Sequence, residues 1–532
     1  MAPQHQQAGM HDKALVETDI HKPVENGREQ CEHISQGSSI SRLFEDFPNE
    51  ILLKIFSHMD WKGVLACRQT SKRLSEISTA RPLWAALFER LCDELIVPPL
   101  LERPIHAYSA QELEGAFFKR ISSEMAFASG RVPKMRSESL KSEQYSDCYH
   151  LLEGGRWLLV TSPRLKPGCV YAYDLENPLL PKPECIIDFK DRNHTQKWWI
   201  KTNLDKSSST LAFNLLLAPS CSVRNFQRDF PDGDDDDYPN PNAPHAYNHI
   251  YRLTLSGYGS DAKLKAQNLR SLYGGFGFYT TDIQLQGKYL SRVLENVITT
   301  NKRVEVCNWF LSNSSLYAKS YIFPDTNCIY GCSPLPNGKL LFVTSTSAAL
   351  YDITNLHSMQ PGKFDFKNST LQPYWRHVNP DFYEGAIISK PYFDSRMNNF
   401  RVAIAVKGYI YGLITGNNND DPWYQPLCKS NLAGSHRAFL GSNKVYDHVN
   451  VSLLRIASFT WPQDAGWDLF LKPTIQSYSC EVEYRHNAPP MFDEHSNRVF
   501  APFRGPSTIV DFMERTEEQT MIKEILYLPV NE

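Results

Sequence analysis

Apolar residues recur at helical spacing over residues 47–91, and beyond them the period of the chain changes. Phe47, Ile51, Leu52, Ile55, Phe56 and Met59 fall on one side of a helix that opens at Pro48, where a missing N–H costs nothing. Two short segments follow, one carrying Trp61, Val64, Leu65 and Cys67, the other Leu74 and Ile77. The pattern then returns at Leu83, Trp84, Leu87, Phe88 and Leu91. A unit of about 45 residues is near the lower limit for folding on its own core. Its first two helices carry more large apolar side chains than so small a unit covers, and such a surplus marks a partner surface.

Further on, Pro98-Pro99 breaks the chain, and Ser109-Ala-Gln-Glu112 is a capping box in which Ser109 and Glu112 satisfy each other's orphan amides. A helix is expected through Leu113, Ala116, Phe117, Ile121 and Met125, ending near Gly130. Residues 131–143 are basic and polar and read as connecting chain. From about residue 145 the apolar positions alternate, and one phrase recurs: a turn, a strand, a short break, a second strand. Its seven instances begin GGRWLLVTSP, STLAFNLLLAP, GKYLSRVLEN, GKLLFVTSTS, NFRVAIAVKG, VSLLRIASFT and NRVFAPFRGP. Units at irregular spacings of roughly 40–80 residues, with Asn-Gly, Gly-Gly and Pro-Gly turns between β-branched and aromatic runs, are expected of propeller blades with long insertions. A mixed β domain with fewer true hairpins is the alternative. The stretch near Ile522 to Leu528 is expected to pair with the first blade and close the ring, which removes exposed sheet edges.

The helical stretch, read in order, resembles the F-box, the module that docks substrate receptors onto the Skp adaptor of cullin ubiquitin ligases. The resemblance runs from the hydrophobic-Pro-x-Glu-Ile-Leu opening through Ile-Phe-Ser to Cys-Arg-Gln-Thr-Ser-Lys-Arg-Leu. It implies that Phe47, Pro48, Ile51, Leu52, Ile55, Phe56 and Met59 press on Skp, with Val64, Leu65 and Cys67 on a second contact helix. Gly63 stands where an acidic residue is usual, and Leu74 where Trp is common. Tyr173-Asp174 and Tyr351-Asp352 resemble the endings of WD repeats, although the Gly-His signature of that family is absent. The expected fold is multidomain α + β: a disordered tail over 1–40, a three-helix F-box over 41–91, a helical linker over 92–144, and an all-β domain over 145–532, a propeller of about seven blades.

At 532 residues the chain is long enough for two or three domains, and its 42% hydrophobic and 22% charged residues are those of a globular protein. A net charge of -3 gives nucleic acid or an anionic membrane no bulk attraction. The apolar runs, such as 402–406, are far below the roughly 20 residues of a spanning helix. Twelve cysteines lie scattered, only Cys328 and Cys332 close together, which fits reduced thiols in cytoplasm or nucleus.

No residue set assembles into an enzyme site. The acidic run at 232–237 fails the EF-hand register, since Asp237 stands where Gly is needed and Ala243 where Glu is needed. His245 and His249 lack a third metal ligand. The glycines at 274–277 lack the Lys-Ser/Thr of a phosphate loop. Trp198, Trp199, Trp309, Trp375, Trp423, Trp461 and Trp467 read as packing, with one or two as cargo anchors. Arg156, Arg224, Arg292 and Arg401 are candidates for phosphate recognition if they share a face. The reading is a non-catalytic adaptor needing no cofactor or metal, with Skp, a cullin-RING ligase and a protein substrate as partners. A propeller enzyme or lectin acting on a glycan or small molecule, and an F-box scaffold that does not ubiquitylate its partner, are the alternatives.

Overall fold

The computed structural model describes residues 47–129, 134–138, 148–161, 168–177, 183–189, 197–220, 247–273, 278–296, 301–313, 316–326, 328–359, 370–395, 397–416, 421–429, 439–450, 453–459, 461, 476–481, 491–501 and 507–511. By its internal contacts the chain divides into a first unit, Met1–Leu52, and a second, Leu53–Glu532.

Four helices open the described chain, one more than the three expected: α1 (Asn49–His58), α2 (Trp61–Arg68), α3 (Lys72–Ser78) and α4 (Arg81–Glu94). The extra break has a local cause. Ala80 is extended and Pro82 sits in the first turn of α4, so the chain stops and restarts between Ile77 and Leu83. Asp60 caps α2 by accepting from Gly63 N at 2.6 Å, and Ser71 caps α3 by accepting from Leu74 N at 3.2 Å. Gly63 is more than a weak helix former. A Cβ there would lie 2.9 Å from the Met59 methyl and 3.1 Å from the capping Asp60 oxygen, so the glycine leaves room for its own cap.

Helix α5 spans Ala110–Ser129. The capping box is formed as expected, with Ser109 N donating to Glu112 at 2.8 Å and Glu112 N to the Ser109 hydroxyl at 3.3 Å. Trp84 and Phe117 meet edge-on at 5.7 Å, and Phe118 lies 5.7 Å from Trp61. An aromatic seam thus ties α2 and α4 to α5.

Among the described residues, seven antiparallel sheets of four or five strands follow. Sheets 1 to 6 cover residues 148–188, 197–273, 278–322 (with His357–Met359 at its edge), 329–378, 386–429 and 439–481. Sheet 7 combines 491–511 with Lys134–Glu138. The first strands of neighbouring sheets touch in succession, and sheet 7 returns to sheet 1. Sheets 6 and 7 meet where the amide of Ser442 donates to Glu494 at 2.7 Å. The apolar clusters lie between sheets: Trp157, Leu159 and Leu217 between 1 and 2, Val402 and Leu341 between 4 and 5, Leu158 and Phe500 between 1 and 7. Cores stacked between successive sheets around a ring make this a β-propeller.

The ring closes differently from expectation. The Lys134–Glu138 strand, in the stretch read as connecting chain, pairs with Ser507–Asp511 in sheet 7. The stretch near Ile522 to Leu528 lies outside the described residues. On the seam between sheets 1 and 7, Gly155 turns with φ +69°, and Ser496 occupies the space a Cβ would need.

Candidate functional site

Within the first unit, Phe47 (40% exposed), Pro48 and Ile51 (47% exposed) face solvent, whereas Leu52 is fully buried. Within the second, Ile55, Met59 and Cys67 are half-buried, while Phe56, Val64 and Leu65 are buried. The ten expected contact residues therefore divide into six that keep accessible surface and four that are core. Sequence spacing does not separate them. On α1, residues 51 and 55, with 59 just beyond its end, follow i, i+4 spacing, and 52 and 56 form a second row about 100° away; both rows are apolar.

Helix α5 fastens the second unit's helices to the ring through polar groups. Arg120, 5% exposed, donates to the carbonyls of Glu494 (2.7 Å), His495 (3.0 Å) and Val97 (2.9 Å), and pairs with Glu124 at 2.8 Å. Asn497 of sheet 7 donates to Ser123 at 2.8 Å and accepts from Lys444 of sheet 6 at 2.8 Å. Lys444 in turn lies 3.4 Å from Glu124. Burial pushes the Glu124 carboxyl up, but Lys444 and Arg120 outweigh it and hold the group below its usual range. The ammonium of Lys444 is lowered as well, because burial outweighs its pairing with Glu124.

On the same side of the ring lies a cavity of about 820 Å³, to which every sheet contributes, from Glu153 in sheet 1 to His495 in sheet 7, with the segment 95–98 along one wall. Glu153 pairs with Lys390 of sheet 5 at 3.0 Å. Sheets 6 and 7 stand between those two sheets by the short way round, so the bond crosses the mouth of the central channel. Lys390 is enclosed by the ring yet keeps 58% of its side chain accessible, because it faces a cavity; Glu153 keeps 17%. Deeper in, His150 hydrogen-bonds Thr202 at 2.7 Å. Burial, then Lys390 and Lys201, drive its imidazole well below the usual value, so it is neutral.

The arginines do not form a phosphate site. Arg156 is spent on Asp174 and Glu102, each at 2.7 Å, Arg292 on Glu305 (2.7 Å), and Arg401 on Asp394 (2.7 Å). Arg224 lies outside the described residues, as do the acidic run at 232–237, His245, the glycines at 274–277 and Trp467. His249 is on a strand, not a helix, and hydrogen-bonds Ser271 at 2.9 Å. Trp198, Trp309 and Trp461 are buried and Trp199, Trp375 and Trp423 half-buried. Among the described residues no group of three potential metal ligands exists, and no helix is long and apolar enough to cross a membrane. The Glu153–Lys390 bond and the bonds from α5 to sheets 6 and 7 leave no trace in sequence, since each joins residues more than 200 positions apart; only the amphipathic period of α5 hints that it packs on something.

Residues 44–90 match the F-box-like family model. The chain is 37% identical over 101 residues to F-box protein dre-1 of Caenorhabditis elegans, a match covering 19% of this chain and 10% of that protein. The chain thus spans about a tenth of the length of the curated relative it matches. The WD40 domain of SCAP from fission yeast is similar at 9% identity and a TM-score of 0.32, covering 72% of this chain and 96% of that one. The Dos1 propeller is similar at 11% identity and a TM-score of 0.33, covering 72% and 86%. Likeness at that level carries no argument, and the ring stands on its own topology. The chain joins an F-box-like module to a propeller-like domain.

Proposed function

We propose that this chain is a non-catalytic substrate receptor of a Skp-cullin-F-box ubiquitin ligase. The module, taken as residues 41–91, docks the Skp adaptor through its outward stripe, with Phe47, Pro48, Ile51, Ile55, Met59 and Cys67 at the contact. Leu52, Phe56, Val64 and Leu65, also expected at the contact, are buried side chains instead. The observation that carries the reading is the F-box-like match over 44–90, in which large apolar side chains such as Phe47 and Ile51 are left exposed. Burying each contributes roughly 1.5–3 kcal/mol, enough for several together to offset the entropy of association.

The ring, taken as residues 145–532 with the donated strand Lys134–Glu138, holds a protein cargo. Residues 92–129, part of the 92–144 stretch expected to be a helical linker, act as a rigid brace between docking helices and cargo platform. The chain's contribution to rate is proximity: cargo and charged enzyme meet as parts of one assembly. No nucleophile, cofactor or metal is asked of this chain, and its place of action is cytoplasm or nucleus.

Co-purification with Skp tests the reading. Ile51→Asp with Ile55→Asp alters residues that keep accessible surface, so the variant is expected to keep the wild-type unfolding midpoint and lose Skp. Equal recovery of Skp by both, or none by the wild type, contradicts the proposal.

A further inference from the structure

The cavity on the brace side of the ring carries a surplus of negative charge. Six carboxylates line it, those of Asp93, Glu153, Asp205, Asp394, Asp493 and Glu494, against the ammoniums of Lys206 and Lys390. Three of the six are matched by cations: Asp205 by Arg252 (2.6 Å), Asp394 by Arg401 (2.7 Å) and Glu153 by Lys390 (3.0 Å). Asp493 and Glu494 are held by neutral donors. Asp493 accepts from Gly154 N (3.1 Å) and from both Ser496 N (2.9 Å) and its hydroxyl (2.6 Å), and Glu494 from the amides of Ser442 (2.7 Å) and Asn443 (3.3 Å). Such bonds orient a carboxylate and leave its net charge in place. Asp93, exposed at the end of α4, makes no hydrogen bond or ion pair to a described residue.

One arc of the wall, from sheet 5 to sheet 7, holds this surplus. The chain leaving α4 lies along it: Ile96 packs on the cluster that contains Leu440, and the His495 ring bonds the Pro98 carbonyl at 2.6 Å. Phe393 of sheet 5 and Phe439 of sheet 6 line the same arc and stay 37% and 38% exposed. Aromatic faces beside carboxylates suit a guanidinium or an ammonium. The cavity already holds one such group, the protein's own Lys390. Burial pushes that ammonium down, yet Glu153, then Asp493 and Glu494, outweigh burial and hold it above its usual range.

We infer that this cavity binds an arginine or lysine side chain of an extended cargo peptide, its cation among Asp93, Asp493 and Glu494 and its stem along Phe393 and Phe439. The inference rests on the receptor reading and names the class of cargo for it. A volume of about 820 Å³ takes one long side chain with its neighbours. Beside the rim a hairpin tip exposes Phe310 and Leu311 by 66% and 64%, pinned by the Trp309 indole, which donates to the carbonyl of the cavity residue Gly287 at 2.8 Å. A peptide with apolar residues flanking the basic one covers both surfaces, whereas a free polyamine leaves the tip bare.

Fluorescence anisotropy on the full chain tests this with a labelled peptide, Gly-Ser-Leu-Arg-Leu-Gly-Ser, and its glutamine and glutamate counterparts. The arginine peptide is expected to bind roughly tenfold or more tightly than the glutamine one, as one charge-assisted hydrogen bond gives, with the glutamate peptide weakest. Lys390→Gln removes the resident ammonium and frees Glu153, so it should tighten the arginine peptide about threefold or more, a gain that mere structural damage does not produce. Asp93→Asn, on the surface, should weaken it about two- to threefold even if the Lys390 variant does not fold. Equal binding of the three peptides, preference for glutamate, or unchanged affinity in both variants overturns the inference. So does spermidine that displaces the arginine peptide at equal concentration. Skp retention measured on the same samples separates the outcomes: Skp held without basic preference defeats the inference alone, and basic preference without Skp defeats the receptor reading alone.

Discussion

Helix α5 is held on two sides by different forces. Toward α2 and α4 it meets Trp84 and Trp61 through Phe117 and Phe118, an aromatic seam with one ion pair beside it, Arg68 to Glu114 at 2.7 Å. Toward the ring it meets sheets 6 and 7 through Arg120, Ser123 and Glu124, a network of charges and hydrogen bonds. The first joint derives most of its strength from buried aromatic area, with the partly exposed Arg68–Glu114 pair adding a smaller, salt-sensitive part. The second depends on the ionisation of Glu124 and on geometry, and directional bonds fix the angle at which the brace leaves the ring. In the proposed receptor the aromatic side would keep the module folded and the polar side would set where cargo sits.

Breaking the joints separately should show the difference. Trp84→Ala removes a fully buried side chain that also donates to the Ser78 carbonyl at 2.9 Å, and is expected to cost about 3–5 kcal/mol in thermal unfolding, with little dependence on salt. Arg120→Met strands two ring carbonyls, that of Val97, and Glu124; because Glu124 keeps 30% of its side chain exposed, the cost should be nearer 2 kcal/mol, part of which Glu124→Gln restores.

Acid sharpens the contrast further. Glu124 is held below its usual range in the folded state, and Glu305 of sheet 3 is lowered to about 2: burial pushes it up, but Arg292, Lys319 and Arg303 outweigh it. A carboxyl whose folded pKa is depressed lends stability above its unfolded value, near 4.3, and loses it as pH falls through the folded one. Denaturant midpoints should therefore hold level from neutral pH to about 5 and decline below that toward about 2, less steeply in Glu124→Gln. The smallest effect is expected of Glu112→Ala, which opens the capping box of α5 and should cost about 1 kcal/mol, read as earlier fraying by hydrogen exchange.

Legibility followed the range of the interaction. Caps, breaks and periods are local, so the Ser109–Glu112 box and the extent of α5 could be read directly. Each of the seven recurrent phrases marks strands at the middle of one sheet, where both faces are buried and the hydrophobic run is strongest; GKLLFVT and SAALYD are adjacent strands of sheet 4. Inner and outer strands such as His357–Met359 or Pro373–Val378 carry weak or mixed patterns and were not read. The closing strand Lys134–Glu138 is polar and looks like connecting chain, because a strand of Lys, Met, Arg, Ser and Glu has no apolar stripe to betray it. Bonds between distant positions, Arg120 to Glu494 or Glu153 to Lys390, leave no local trace at all. Within the docking helix, period alone merged an outward stripe with an inward one, and only burial told Ile51 from Leu52.

The central claim is that α5 locks the docking helices onto the ring. Spin labels introduced as unnatural residues at the exposed Lys62 in α2 and Lys265 in sheet 2 measure it directly by pulsed dipolar spectroscopy. One narrow distance distribution, broadened by Arg120→Met with Glu124→Gln, is the predicted result. A broad or multiple distribution in the unaltered chain would contradict it.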